Sequence, residues 1–393
     1  MRVWIENPFD NLPAEGFRPQ RYWLMAQAFA RAGHDVTLWT SDFSHATKRR
    51  RVFQAGRACD DGSGIDVVLI PSVPYGKNVS LKRLYSHWRY ARAWWRLALA
   101  RVRNQGAPDL IIASSPPLGA GRIARLLARR FRPNRGTKLV IDVMDAWPET
   151  FERVAPKWLL SPLKRLARAN YLAADLITTV AERYIDLVRG AGYSGPVQRF
   201  YHGIEPLPSG ARTPGPPGVC RLAYIGNLGR TYDLRTVLKA LDKMPRATLD
   251  IAGRGDQEEA LKAFVRDNGL AARVRCHGYL GDQDLARLLG DCDIGVVPMC
   301  DDSCVGVPYK FADYARAGLA IVSSLGGESA GLLTRYGAGA CYTPHDPQSF
   351  ANAVSRVAGR LAETQSGACR LAALFDAPAI YAEYVRMAER LKI

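Results

Sequence analysis

Short runs of apolar residues alternate with amphipathic stretches along the whole chain. The apolar runs are rich in Val, Ile and Leu, which predicts strands buried on both faces of a sheet. Between the runs, apolar residues recur every three or four positions, as on the buried side of a surface helix. Strands are predicted in the first half at Arg2–Glu6, Asp35–Thr40, Val67–Ile70, Leu110–Ser114, Lys138–Val143 and Leu176–Val180. This alternation predicts a mainly parallel sheet covered by helices.

A Pro/Gly-rich segment, residues 206–218, interrupts the pattern and predicts a linker. The expected fold class is α/β, with two Rossmann-like, doubly wound domains, 1–205 and 219–376, that face each other across a cleft. The last helix, in 377–393, is open to packing back on the N-terminal domain. Strands are predicted beyond the linker at Arg221–Ile225, Thr248–Ala252, Val274–His277, Ile294–Val297 and Ala320–Ser323.

Positive charge is concentrated in the first half of the chain. The protein carries 54 Lys and Arg against 37 Asp and Glu, a net charge of +17, and residues 1–200 hold 32 of the basic residues but 16 of the acidic ones. This excess predicts an anionic partner for the N-terminal domain, either nucleic acid, an acidic membrane surface or an anionic substrate. Hydrophobic residues make up 48% of the chain, which excludes wholesale disorder.

Several function classes lack their sequence signatures. The chain has no P-loop and no GxGxxG after the first strand, which disfavours P-loop ATPases and dinucleotide oxidoreductases. Its cysteines form no CxxC pair, so no metal site is expected. No apolar run reaches the ~18 residues of a membrane span. The N-terminus begins as a strand rather than as a signal peptide, so we expect a cytoplasmic protein.

Glycines and cations follow the predicted strands of the second half. The strand at Arg221–Ile225 leads into Gly226–Arg230, and the next strand leads into Gly253–Asp256. Backbone N–H groups and cations in such loops bind anions, although each loop alone is equally consistent with a tight turn. Val307–Gly318 and Gly326–Ser329 follow in order, and the ordered set is more specific than any one loop.

This ordered set resembles the retaining glycosyltransferases of family 4, also called glycosyl transferases group 1. The resemblance covers most of residues 221–345, and Asp109–Leu118 and Ile141–Glu149 resemble the bacterial surface-polysaccharide branch. It implies the two-domain GT-B fold, a nucleotide-sugar donor and no further cofactor. The second half departs from the family pattern in three places: Val305 replaces the first glutamate of a paired motif, Asn227 replaces a loop arginine, and Tyr232-Asp233 replaces a Lys-Gly pair.

The resemblance also implies roles for individual residues. Asp313 stands where a family glutamate binds the donor ribose, and Lys310 is one helical turn earlier, near the pyrophosphate. Gly16 would let the backbone approach a phosphate, with Arg18 and Arg21 adding positive charge. The full set of implied donor-binding residues is Gly16, Gly226, Asn227, Arg230, Arg254, Tyr279, Leu280, Lys310, Asp313, Gly327 and Glu328. The alternative for Lys310 and Asp313 is an exposed ion pair on a helix.

Catalytic candidates are Asp145, Glu149 and Lys310. Met144 occupies a position where many family members have a histidine, which leaves Asp145 and Glu149 as the acidic candidates for acceptor contact. The alternative is that these two carboxylates cap a turn. His45 is interpreted as an ordinary loop or core histidine.

Residues 80–103 form a predicted amphipathic helix within the most basic part of the chain. Its apolar positions are Leu81, Leu84, Trp88, Ala91, Trp95, Ala98 and Val102. Either this stripe faces the core, with cations extending to solvent, or it lies on anionic lipid. The expected membrane or acceptor contacts are Lys82, Arg89, Trp95, Arg96 and Arg103.

The expected function is metal-independent transfer of a hexosyl-type sugar to a saccharide or polyprenyl-linked acceptor in surface polysaccharide biosynthesis. We expect the protein to lie on the inner leaflet of the membrane as a peripheral protein. One alternative is a GT-B sugar-nucleotide epimerase or hydrolase. Another is a basic nucleic-acid-binding module, but no recognised nucleic-acid motif accompanies the charge, so nucleic acid is not expected as a partner.

Overall fold

Two compact units make up the computed structural model. The described residues are 1–51, 63–76, 80–152, 155–208, 213, 215–216, 218–301 and 303–391. The first unit consists of Met1–Gly203 and Ala377–Ile393, and the second consists of Ile204–Asp376. Positions 209–212, 214 and 217 of the predicted linker lie outside the described residues.

Each unit is built on a parallel sheet. The strands of the first unit are β1 (Arg2–Glu6), β2 (Asp35–Ser41), β3 (Ile65–Ile70), β4 (Leu110–Ser115), β5 (Lys138–Val143), β6 (Leu176–Thr179) and β7 (Val197–Arg199). Those of the second are β8 (Cys220–Ile225), β9 (Ala247–Ala252), β10 (Val274–Gly278), β11 (Ile294–Val297), β12 (Ala320–Ser323) and β13 (Gly339–Cys341). The strand orders are β3-β2-β1-β4-β5-β6-β7 and β10-β9-β8-β11-β12-β13.

Helices connect the strands and cover the sheets. In chain order they are α1 (Arg21–Arg31), α2 (Leu81–Gln105), α3 (Leu118–Arg135), α4 (Lys157–Tyr171), α5 (Glu182–Gly190), α6 (Leu234–Ala240), α7 (Glu258–Asp267), α8 (Asp282–Gly290), α9 (Tyr309–Arg316), α10 (Gly327–Tyr336), α11 (Pro347–Ala358), α12 (Leu361–Ala372) and α13 (Ala377–Arg390). The predicted fold class, α/β with two Rossmann-like domains, is confirmed. No helix in the described part of the chain is both long and apolar enough to cross a membrane.

The first sheet is buried on both faces because its strands carry large apolar side chains in both directions. Val3 and Ile5 belong to a core cluster that includes residues of α1 and α13. Trp4 points the other way, where its ring contacts Trp39 at a centroid distance of 5.0 Å and Phe131 of α3 at 6.4 Å. Helix α13 packs against α1, while α2, α3 and α4 lie side by side.

Helix α2 buries only part of the predicted apolar stripe, since Ala91 and Ala98 are buried but the first part of the stripe is exposed. Trp94 is fully buried and packs against Trp39 at 6.4 Å, whereas Trp95 of the predicted stripe is half-buried. These large rings fill the space over the sheet, which turns the first part of the stripe outward. The residues of the predicted stripe that are exposed are Leu81, Leu84 and Trp88. The predicted cations are exposed, and they are Lys82, Arg89, Arg96 and Arg103.

A buried ion pair ties α1 to the first sheet. Arg21 and Asp142 form two N–O contacts of 2.7 and 2.8 Å, and neither side chain is exposed. Asp142 also accepts hydrogen bonds from Tyr22 and Thr178. Arg21 donates to the carbonyl oxygens of residues 200 and 201. The prediction that Arg21 adds charge beside a donor phosphate is therefore wrong, because this guanidinium is enclosed and already paired with a carboxylate.

Candidate active site

The candidate donor site lies at the carboxyl edge of the second sheet. The strand order reverses between β8 and β11, so the loops that follow these two strands leave the sheet in opposite directions. The loops are joined near their start, since Cys300 N–H donates to the carbonyl oxygen of Thr231 at 3.0 Å. A reversal of this kind creates a crevice in which doubly wound folds bind ligands.

Glycines allow the loops after β8 and β9 to approach each other closely. Gly226 N–H donates to Ala252 O at 2.8 Å, and Leu228 N–H donates to Arg254 O at 2.9 Å. A Cβ atom on Gly253 would lie 1.8 Å from the carbonyl oxygen of Gly226, and Gly253 has a φ of 152°. No larger residue fits at position 253, because the backbone of Gly226 occupies the space that its side chain would need. This edge of the sheet is therefore lined by backbone atoms.

Lys310 projects into this edge from α9. Its side chain is only 6% exposed, and its Nζ donates to the Tyr224 hydroxyl at 3.2 Å. The same Nζ lies 3.5 Å from the Tyr232 ring centroid and would lie 3.2 Å from a Cβ atom on Gly226. Burial lowers the pKa of Lys310 well below its ordinary value of 10.5, and the nearby Asp313 carboxylate offsets this only in part.

Asp313 follows Lys310 by one helical turn and is 7% exposed. The two residues therefore reach the same edge of the sheet from one buried helix. The alternative of an exposed ion pair is wrong for both residues, because both are buried and the rings of Tyr224 and Tyr232 lie against the Lys310 ammonium.

The other predicted donor residues of the second unit line the same edge but are more open. Arg230 is exposed and lies 3.7 Å from Asp256, so it forms a weak surface pair. Gly327 and Glu328 form the first turn of α10, whose N–H groups favour an anion. Leu280 and Glu328 are half-buried, and the other exposed members of the set are Gly226, Asn227, Arg254, Tyr279 and Gly327.

The predicted residues of the first unit lie in the loops after β1 and β5. Gly16 has a φ of 73° and closes a short 3-10 turn, with open space around its Cα. Asp145 accepts a hydrogen bond from Ala146 N–H at 2.8 Å, as expected if this carboxylate caps a turn. Burial raises the pKa of Asp145, while that same hydrogen bond and the Arg83 guanidinium lower it. Glu149 begins a separate 3-10 turn, and burial raises its pKa as well.

Sequence reasoning missed Tyr224 and Tyr232, which surround Lys310. Tyr224 lies within β8 and reads as an ordinary strand residue, so its pattern contains no signal for a site. Among the described residues, no cluster of three or more His, Cys, Asp or Glu side chains is suited to hold a metal ion.

Several solved structures share this fold. Sucrose-phosphate synthase from Thermosynechococcus elongatus aligns with a TM-score of 0.74 at 16% identity, covering 100% of this chain and 99% of its own. HepE from Anabaena, in complex with UDP and glucose, aligns with a TM-score of 0.66 at 15% identity, covering 99% and 100%. The catalytic domain of starch synthase IV from Arabidopsis thaliana gives 0.68 at 13% identity, covering 99% of each chain. These similarities define the GT-B fold.

Family models assign the enzyme class. The model described as Glycosyltransferase Family 4 matches residues 21–206, and the model described as Glycosyl transferases group 1 matches residues 220–360. Together they account for most of both units, so the protein is a glycosyltransferase of the GT-B type. The chain belongs to glycosyltransferase family 4. No curated protein sequence matches it.

Proposed function

We propose that this glycosyltransferase moves a hexosyl-type sugar, with retention, from a nucleotide-sugar to a saccharide or lipid-linked acceptor in surface polysaccharide biosynthesis. The observation that carries the proposal is the buried Nζ of Lys310 beside the glycine loop, one turn from Asp313. Burying an ammonium group costs free energy unless an anion accompanies it, and a donor diphosphate supplies that anion. The structure of HepE with UDP-glucose supports this donor class.

In the proposed reaction, the bond between C1 of the sugar and the diphosphate oxygen breaks. A bond forms between C1 and the acceptor oxygen on the same face of the sugar ring, and the acceptor proton passes to the departing diphosphate. Lys310 stabilises the negative charge that develops on that diphosphate. Because a protein cation supplies this stabilisation, we propose a reaction without a metal ion or cofactor.

The proposed roles divide between the units. In the second, Asp313 accepts hydrogen bonds from the ribose hydroxyls, and Arg230 or Arg254 adds positive charge near the phosphates. In the first, Asp145 and Glu149 contact the acceptor. Burial raises the pKa of both carboxyl groups, as is common for groups that exchange protons with a substrate.

Turnover of a nucleotide-sugar panel with a prenyl-diphosphate-linked monosaccharide as acceptor tests this function. We expect nucleoside diphosphate release that depends on the acceptor, and NMR of the product is expected to show the donor's anomeric configuration. Release at the same rate without acceptor would favour the hydrolase alternative. A product of inverted configuration would contradict retention.

We also propose that the first unit binds an anionic membrane surface on the cytoplasmic side. Exposed apolar side chains lie at the start of α2, where Leu81 is 84% exposed, and at the start of α4, where Trp158 is 75% exposed. Both helices begin beyond the carboxyl edge of the first sheet, on the side where α2, α3 and α4 pack together. Exposed cations on α2 surround the apolar groups, as in interfacial helices.

Sedimentation with vesicles tests the membrane proposal. We expect binding to vesicles that contain anionic lipid and weaker binding as salt rises, because salt screens the cations. Replacing Trp158 or Leu84 by serine is expected to weaken binding roughly tenfold, since one large apolar side chain no longer enters the lipid. Leu172→Ser is the matched control, because Leu172 is 46% exposed but follows the opposite end of α4. Equal loss in the control variant would contradict the assigned surface.

A further inference from the structure

A group of cationic and aromatic side chains lies at the carboxyl edge of the first sheet. We call it the cationic–aromatic cluster, and its members are His45, Lys48, Tyr75, Arg83, His87 and Trp147. They come from the loops after β2, β3 and β5 and from the first two turns of α2. Distant parts of the sequence therefore converge where parallel sheets bind ligands.

Arg83 is the centre of the cluster. Its guanidinium carbon lies 5.4 Å from the Trp147 ring centroid, 5.8 Å from that of Tyr75 and 5.4 Å from that of Phe9. Cation–π attraction of this kind holds a guanidinium in a defined position. The rings give the site a rigid wall, and the Arg83 side chain remains half-buried rather than enclosed.

Nitrogen-bearing side chains crowd each other around this centre. Arg83 Nε donates to His87 Nε2 at 3.4 Å, and Lys48 Nζ lies 3.3 Å from His45 Nδ1. Burial and the neighbouring cations lower the pKa of both His45 and His87 to about 3, and they lower that of Lys48 to about 8. The Asp145 carboxylate acts on Arg83 from the β5 side. A bound anion would offset the mutual repulsion of the cations.

Lys48 also has an uncommon backbone conformation. Its φ is 58°, in the left-handed region that non-glycine residues rarely adopt. This conformation costs about 1 kcal/mol or more and is often found where a side chain is held for binding. In this loop it accompanies a Lys48 ammonium that lies 4.9 Å from the Tyr75 ring centroid.

The same turns of α2 expose apolar groups on their other side. Leu84 is 50% exposed and Trp88 is 53% exposed, and the Trp88 ring stacks with that of Tyr85 at 5.7 Å. Arg83 and His87, four residues apart, face the cluster between these exposed positions. One short stretch of helix therefore presents an anion-binding side and an apolar side.

We propose that the cationic–aromatic cluster binds the phosphate group of a lipid-phosphate acceptor whose hydrocarbon chain lies on the exposed apolar side chains of α2. The inference rests on the proposed function, because it names the acceptor class of that reaction. Arginine and lysine together suit a phosphate group, which offers several oxygens to charged donors. A soluble sugar would make no use of the adjacent apolar surface.

Calorimetric titration with farnesyl phosphate, farnesol and inorganic phosphate tests the proposal. Farnesyl phosphate is expected to bind most tightly. Arg83→Ala is expected to weaken its binding roughly 10- to 100-fold, because a charge-assisted hydrogen bond to the phosphate is lost. Lys48→Gln is the second variant and should also weaken binding. The Lys48 side chain is half-exposed and not part of the core, so this substitution should leave the fold intact. Arg130→Gln, an exposed cation on α3, is the matched control and should bind as the unchanged protein does.

The remaining measurements distinguish a lipid phosphate from a free phosphate as the ligand of the cluster. Leu84→Ser with Trp88→Ser should weaken farnesyl phosphate binding and leave inorganic phosphate binding unchanged. Equal affinity for inorganic and farnesyl phosphate would assign the cluster to a soluble phosphate and overturn the lipid part. Farnesol binding as tightly as farnesyl phosphate would overturn the phosphate part. The same variants should bind nucleoside diphosphates as tightly as the unchanged protein does. If the unchanged protein binds no nucleoside diphosphate, that result would count against the proposed function and not against the cluster.

Discussion

Replacing Lys310 by methionine is expected to lower kcat for sugar transfer by about a hundredfold to a thousandfold. The expected size follows from the loss of one preorganised group that stabilises charge in the transition state. Methionine is of similar length and can still pack against the rings of Tyr224 and Tyr232, but it supplies no charge to the departing diphosphate. Steady-state kinetics with a nucleotide-sugar donor measures the effect.

Thermal unfolding separates this effect from damage to the fold. Lys310 is buried and its charged form is disfavoured, so an apolar side chain of the same volume should not lower the unfolding temperature. Lys262→Met is the matched control, because Lys262 is an exposed lysine of α7 that pairs with Glu258. A Lys310→Met protein that is stable and fully active would contradict the assigned role.

Donor binding should also be coupled to proton uptake by Lys310. Burial lowers the pKa of Lys310 in the free protein, and a bound diphosphate would raise it again by stabilising the ammonium form. Between these two pKa values, binding takes up a proton, so nucleotide affinity falls as the pH rises. Titrations in buffers of different ionisation enthalpy measure this uptake, and it should disappear in Lys310→Met.

Asp142→Ala is expected to destabilise the first unit by about 3–5 kcal/mol, the cost of leaving one partner of a buried ion pair uncompensated. The Arg21 guanidinium would keep its bonds to two backbone carbonyls but lose its carboxylate. Tyr22 and Thr178 would each lose a hydrogen-bond acceptor. Burial alone would raise the pKa of Asp142, but Arg21 and these hydroxyls hold it below its ordinary value. The stabilisation is therefore lost as the pH falls through the folded-state pKa.

Tryptophan fluorescence during urea unfolding measures this loss selectively. All eight tryptophans lie before residue 204, so the signal reports the first unit and not the second. Glu152→Ala removes an exposed ion pair with Lys164 and is expected to cost less than about 1 kcal/mol. Equal shifts in the two variants would show that the Arg21–Asp142 pair contributes no more than a surface pair.

The alternation of apolar runs was sufficient to predict both sheets, because parallel strands buried on two faces leave a strong signal. It missed β7 and β13, which are three residues long and lie at sheet edges, where no continuous apolar run is needed. It left the orientation of the α2 stripe open, since periodicity identified a possible apolar stripe but not which rings fit against Trp39.

The candidate site was predictable to the extent that it is local in sequence. Lys310 and Asp313 follow from the ordered motifs, but their burial depends on rings contributed by β8 and the loop after it. The cationic–aromatic cluster left still less signal, because its members are separated by up to about a hundred residues and meet only through the strand order. The spacing of Arg83 and His87 on one helix face was the one local hint.

The affinity of the protein for nucleoside diphosphates tests the central claim most directly. Calorimetric titration of UDP, GDP and ADP should show saturable one-site binding of at least one of them to the unchanged protein. Asp313→Ala and Lys310→Met should each weaken that binding by tenfold or more, while Lys262→Met should leave it unchanged. Unchanged affinity in both site variants, with the fold intact, would contradict the assignment of this edge of the second sheet as the donor site.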